Sequence, residues 1–391
     1  MFVINYFFFK EKDGKGVWLN FLGQGIVYRR QHWIFIGYVN QPKFSWEEKV
    51  IHKQSGNKIA HINTAEKLRN PIDKALVHEV VQRNVNQTLK NYFRFQQEWV
   101  NRAYKVFNDF DTYIILIYLF NKVYQNYSDR FHYMSMDAFF EQEQITIDKL
   151  NLIEISKDLN IPKETIRRKI NYLQSHDIIA RKGKIIYINS KALEIQKPTE
   201  SINGIASVLA NMSNYLAAEE WFGEAIPKEK IASFIHEHFT VCWEYFYRFQ
   251  IPYLIRHRSH FGDAESWNVW GSIGLVQIRS LIQESESALE KPTLKSHLDF
   301  YLAFLKHKAK RGINASSISD ISSIPRATVI RKLKSLEKNK HITRNKKLEY
   351  SIGNSREHIK GIEKNYLTTQ EQFSGYLTTM FNLMKHSKFN L

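Results

Sequence analysis

One 28-residue pattern occurs twice in this chain. Ile161 to Ile188 reads IPKETIRRKINYLQSHDIIARKGKIIYI, and Ile324 to Ser351 reads IPRATVIRKLKSLEKNKHITRNKKLEYS. At a constant offset of 163 and without a gap, ten of the 28 positions are identical, including the Ile-Pro pair, Thr165/Thr328, Arg168/Arg331, Leu173/Leu336 and Arg181/Arg344. Chance would give roughly two. A duplicated segment predicts two copies of one structural unit. A fainter echo lies upstream, where Arg94-Phe95-Gln96 recurs as Arg248-Phe249-Gln250 at an offset of 154, followed by Trp99/Tyr253 and Arg102/Arg256. If a helix was duplicated together with the unit that follows it, the chain is a fused pseudo-dimer.

Each copy reads as helix, short turn, helix and β-hairpin. Ile155 and Leu159 place one face of a short helix on a core, and Ile161-Pro162 breaks it, because the residue before a proline avoids the helical region while proline itself suits a first turn. The second helix buries Ile166, Ile170 and Leu173. Its outward face is then Glu164, Arg168, Asn171 and Ser175, flanked by Thr165 and Arg167. Two β-prone runs follow, Ile178-Ile179 and Ile185 to Ile188, with a cationic tip at Arg181-Lys182-Gly183-Lys184. The second copy repeats the plan: Ile318 and Ile321 precede Ile324-Pro325, the stripe is Val329, Leu333 and Leu336, the outward face is Ala327, Arg331, Lys334 and Lys338, and the tip is Arg344-Asn345-Lys346-Lys347. First helices are expected at about 110–125 and 294–310.

These residues resemble the winged helix-turn-helix superfamily of bacterial transcriptional regulators, over about a quarter of the chain. Carried over position by position, the resemblance implies that Lys163 to Ser175 and Arg326 to Lys338 are recognition helices entering the major groove, and that the hairpins are wings along the backbone. The DNA-contacting residues it implies are Lys163, Glu164, Thr165, Arg167, Arg168, Asn171, Arg181, Lys182 and Lys184 in the first copy. In the second they are Arg326, Ala327, Thr328, Arg331, Lys334, Arg344, Lys346 and Lys347. The turn lacks glycine in both copies, a departure from the usual pattern.

The charge agrees with an anionic partner. The chain carries 56 Lys and Arg against 39 Asp and Glu, a net +17. Residues 145–191 hold ten cationic and five anionic side chains and residues 306–352 hold thirteen and three, so two short windows supply +15 of it. Phosphate backbones attract such patches through counterion release. The single cysteine, Cys242, excludes an internal disulfide and fits a reducing, cytoplasmic and nucleoid-associated setting. Met1 to Phe9 is apolar but too short to span a bilayer and lacks a basic leader region, so it reads as a strand; Tyr113 to Phe120 reads as a core helix.

The expected fold is mainly α with small β-wings: two tandem winged helix-turn-helix domains on a helical scaffold. The expected divisions are a β-rich segment over 1–70 with no recognisable motif, a helical scaffold over 71–109, domain 1 over 110–192, a helical middle region over 193–293 broken near Pro227, Pro252 and Gly262-Asp263, domain 2 over 294–354, and a helical tail over 355–391. One long amphipathic helix or two shorter ones are expected between Pro71 and Phe107. His236-Glu237-His238 and His257/His260 have suggestive spacings but no further ligands beside them, and read as solvated or aromatic-packed, so neither metal nor cofactor is expected. The absence of a phosphate-cradling loop, a dinucleotide fingerprint and a nucleophile elbow argues against an enzyme. Sequence-specific binding of double-stranded DNA in transcriptional control is the leading reading, without a membrane, with a homodimer and a small-molecule effector left open. A plasmid-type replication initiator and a protein-docking scaffold of chromosome organisation are the alternatives.

Overall fold

The computed structural model describes residues 6–10, 16–20, 67–68, 70–148, 151–287 and 312–387. Residues 1–60 and 61–391 form two separate units. In the first, β1 (Tyr6–Lys10) and β2 (Gly16–Asn20) pair antiparallel, with Tyr6 opposite Asn20 and Lys10 opposite Gly16. Tyr6 to Phe9 of the strand expected over Met1 to Phe9 are therefore in a strand, and Met1 to Asn5 lie outside the described residues.

The second unit is mainly helical. It runs through α1 (Lys74–Arg83), α2 (Val85–Phe107), α3 (Phe110–Asp129), α4 (Met136–Phe140), β3 (Gln144–Ile147), α5 (Leu152–Leu159), α6 (Lys163–Ser175), β4 (Ile179–Lys182), β5 (Ile185–Asn189) and α7 (Ser190–Gln196). It continues with α8 (Thr199–Ala218), α9 (Lys228–Glu237), α10 (Phe239–Phe261), α11 (Ala264–Ser287), α12 (Ala315–Ser322), α13 (Arg326–Lys338), β6 (Ile342–Arg344), β7 (Tyr350–Ile352) and α14 (Arg356–His386). The stretch expected as one long helix or two shorter ones is two, α1 and α2. No described helix is long and apolar enough to cross a membrane.

The upstream echo is structural. Helices α1 and α2 recur 154 residues later as α9 and α10 with the same lengths, and α3 recurs as α11. Helix α2 buries Tyr92, Phe95, Gln96, Trp99, Val100, Ala103 and Tyr104, a helical stripe at spacings of three and four. Helices α3 and α10 are buried along much of their length, as expected for central helices, and they pack along each other. The Tyr113 to Phe120 run is accordingly buried throughout.

The halves are not side by side but interleaved. Helix α3 of the first half lies on α10 of the second, and α2 lies on α11; likewise α8 packs on α9, and α14 packs on α1. Such reciprocal contacts are the signature of an isologous interface, here within one chain. At its centre, Gln96 Nε2 donates to Gln250 Oε1 (3.0 Å) and Gln250 Nε2 donates to Gln96 Oε1 (2.7 Å), each residue meeting its own counterpart. Both are buried. Gln96→Ala is expected to cost about 1–3 kcal/mol because it strands a buried amide, whereas the double replacement Gln96→Leu with Gln250→Leu is expected to cost less than the worse single. Urea unfolding of the three variants checks this; single variants as stable as the parent would show that the pair holds nothing.

One expectation needs correction. The break near Pro252 does not occur, since α10 runs straight through it. A proline inside a helix costs about 3 kcal/mol, but its neighbours Phe249, Ile251, Tyr253 and Leu254 are all buried, and burial at about 1.5–3 kcal/mol each outweighs the lost bond. The breaks at Pro227, which precedes α9, and at Gly262, with φ of +85°, fall where expected. The helical tail expected over 355–391 is the helix α14, which buries Ile362, Tyr366, Phe373, Leu377, Met380 and Phe381 in the common core.

Candidate nucleic-acid interface

Each copy of the repeat is held in the same way. Asn151 caps α5, its side chain accepting from Glu154 N–H (2.8 Å), and Asn314 caps α12 from Ser317 N–H (3.0 Å). Ser156 and Ser319 each donate across the turn, to the carbonyls of Ile161 and Ile324, at 2.7 Å. The turn itself uses Asn160 (φ +50°) and Ser323 (φ +60°) in the left-handed region, the position that glycine commonly fills. That explains the missing glycine: short polar side chains tolerate this conformation when the surrounding bonds fix it. Pro162 and Pro325 then open α6 and α13, whose bounds coincide with those expected.

The helix that precedes each motif and packs on its second helix is α3 in the first copy and α11 in the second. The first helix expected at 294–310 falls outside the described residues, and α11 occupies its structural role at 264–287. The scaffold offset of 154 becomes 163 in the motifs, so the second half carries nine extra residues between them.

A lysine at the same position of each second helix ties it inward. Lys169 pairs with Asp109, and Lys332 Nζ lies 2.7 Å from Asp263 Oδ1 and 3.8 Å from Glu265 Oε2. Asp109 and Asp263 stand at the starts of α3 and α11, themselves 154 residues apart. The Lys332 ammonium helps to hold the Asp263 carboxyl below its usual range against the opposing effect of burial. The scaffold also braces each turn from the opposite half: Arg258 of α10 donates to the Asn160 carbonyl (3.3 Å) and pairs with Asp111 (2.8 Å), and Asn101 of α2 donates to the Ile321 carbonyl.

Against these inward anchors, the outward residues stand in solvent. Lys163, Glu164, Arg167, Arg168 and Asn171 are exposed on α6, and Arg326, Ala327, Arg331 and Lys334 on α13; Thr165 and Thr328 are half-buried. On α6, Arg167 clasps Glu164 through two contacts of 2.9 and 2.5 Å and draws its carboxyl below the usual range. Arg326 Nε reaches Ser316 Oγ at 3.1 Å. Arg168, Lys182, Lys184, Arg331, Lys334, Lys346 and Lys347 make no ion pair among the described residues.

The hairpins differ from expectation in detail. β3, β5 and β4 form a three-stranded sheet with β5 in the middle; Lys182 pairs with Ile185, so the tip is only Gly183-Lys184, with Gly183 at φ +63°. Arg181 and Lys182 belong to the strand. In the second copy Ile342 pairs with Ile352, while Ile313 bridges Tyr350 as the counterpart of β3. Because Ile179 pairs with Ile188, the second tip is one residue longer, and the matched Tyr187 and Tyr350 are not structural equivalents. Arg344 closes β6 and pairs with Glu337 at 3.2 Å, leaving Lys346 and Lys347 on the tip.

Among the histidines, His257 is buried, its Nδ1–H donating to the Tyr253 carbonyl (2.9 Å) beside the Trp267 ring, and His236 lies 3.4 Å from Asp137. His260, however, meets His341 and His358, which no local spacing could signal. Cys242 is a buried free thiol whose pKa burial raises. No protein-family model, curated protein or solved structure matches this chain.

Proposed function

We propose that the chain binds double-stranded DNA as a transcriptional regulator, through two winged helix-turn-helix domains carried on one interleaved scaffold. The observation that carries this reading is the sorting of charge on α6 and α13. In both helices the inward lysine is consumed by a carboxylate, while Arg168, Arg331 and Lys334 are left exposed and without ion pairs. A solvated surface has no need to keep Arg168 and Arg331 free at equivalent positions of two repeated helices; binding to a polyanion does. The element order of the first copy supports the same reading: a helix, a strand, two helices about a tight turn, and a hairpin whose last strand sits centrally; in the second copy the Ile313–Tyr350 bridge stands where the strand does in the first. The second helix would lie in the major groove with its N-terminal residues at base edges, and the hairpin along the phosphates.

Arg168→Ala and Arg331→Ala are expected to weaken a preferred site by about 1–3 kcal/mol each and to leave random-sequence binding nearly unchanged, as for arginines on guanine edges. Fluorescence anisotropy on selected and scrambled duplexes makes the comparison. Equal losses on every sequence would move both arginines to the phosphates, and no binding to any duplex at about 50 mM salt would end the reading.

A further inference from the structure

We propose that His260, His341 and His358 form a binding site for one divalent transition-metal ion of the zinc class. One ring nitrogen of each residue lies within 4.8 Å of the other two. His341 Nδ1 and His358 Nδ1 are 2.7 Å apart, and His260 Nε2 is 3.5 Å from the same His358 nitrogen. Three nitrogens bound tetrahedrally at about 2.0–2.1 Å stand roughly 3.4 Å from one another. Small ring rotations therefore suffice to convert the cluster into three legs of a tetrahedron.

The cluster is built rather than incidental. Its three residues come from the end of α10, the turn between α13 and β6, and the first turn of α14, so distant parts of the chain converge on it. Gly361 gives His260 its room, since a Cβ there would stand 2.5 Å from the His260 ring. Phe261 and Trp270 wall the far side of His358. The His358 Nε2 atom is buried and has no hydrogen-bond partner among the described residues. Burial, aided by the neighbouring imidazoles, pushes His260 down to about 4 and His358 to about 3, and burial lowers His341 as well. Imidazole nitrogens are donors that borderline metals of the zinc class favour.

The first half supplies the contrast. At the positions equivalent to His260 and His341 stand Val106 and Ile178, and the third residue of the helix after the first hairpin is Ala192 where the second has His358. Three apolar positions in one half are three histidines in the other. A fourth position opens onto a cavity lined by Glu357, Lys338, Asn339 and Lys340; the exposed Glu357 carboxylate or a water would complete the shell. An ion held there would fasten the C-terminal end of α13 to α10 and α14, stiffening the second motif alone.

The test uses the full-length chain without a histidine tag, titrated with Co2+ as a visible probe and then with Zn2+ as competitor. The expected result is one equivalent of Co2+ with the absorption of a nitrogen-rich tetrahedral site, displaced by Zn2+, and a raised Tm. Replacing each histidine by its first-half counterpart, His260→Val, His341→Ile and His358→Ala, should weaken binding at least tenfold each, while His236→Ala changes nothing. Far-UV circular dichroism checks the folds; should His358→Ala unfold, the other two decide. Absence of a stoichiometric site in the parent, or its survival in the His260→Val/His341→Ile double variant, overturns the proposal. DNA binding is not the readout, so the outcome is independent of the proposed function.

Discussion

Raising salt from 50 to 200 mM is expected to weaken duplex binding by about 10³-fold or more, the loss associated with six or more phosphate contacts. The hairpins and second helices offer that number: Lys182, Lys184, Lys346 and Lys347 are exposed and unpaired, and Lys163, Arg181, Arg326 and Arg344 stand beside them. The structure also ranks them. Arg344 must leave Glu337, 3.2 Å away, before it can serve a phosphate. Neutralising Lys182, Lys184, Lys346 and Lys347 together should therefore lower the slope of log K against log salt by about four, and Arg344→Gln by less than one. Binding measured across a salt series at fixed temperature gives both slopes. A parent complex indifferent to salt would mean that these lysines face no polyanion.

What could be read in the sequence was whatever depends on local pattern. The stripe Ile166, Ile170, Leu173 and its copy Val329, Leu333, Leu336 define α6 and α13 to the residue, because proline starts each helix and the periodicity runs to its end. The hairpins were legible as well, though not the extra residue in the second tip, since a gap-free alignment matches Tyr187 to Tyr350 and hides a one-residue slip. Anything set by packing between halves was out of reach. Pro252 reads as a helix break until the core around Phe249 and Tyr253 is known. The first helix of the second copy was expected at about 294–310, outside the described residues, while the scaffold's offset of 154 places α11 at 264–287. One signal was present and unused: Lys169/Lys332 and Asp109/Asp263 each recur at the offset of their own segment, which marks them as the anchor joining scaffold to motif. The histidine cluster leaves no local trace, because its members lie 81 and 17 residues apart.

The interleaved halves lead to an expectation about the DNA site itself. On the proposed function, two equivalent helices on one body, related as the subunits of a dimer would be, would meet successive major grooves about 34 Å apart, so one chain should protect two half-sites centred roughly 10 bp from each other. The half-sites should not be identical. Glu164 and Arg167 clasp each other on α6, whereas the equivalent α13 positions are Ala327 and Ile330; Asn171 is matched by Lys334. The first helix thus offers an amide suited to adenine beside a self-neutralised pair, and the second offers additional unpaired cation. Because α3 rests on α10 and α2 on α11, an isolated half is a poor probe, and the comparison belongs in the full chain. Footprinting of Arg168→Ala/Asn171→Ala should lose protection over one half-site and keep the other, and Arg331→Ala/Lys334→Ala should do the reverse. Loss of the whole footprint from one replacement, with none from the other, would show that a single motif touches DNA and that its twin serves the scaffold.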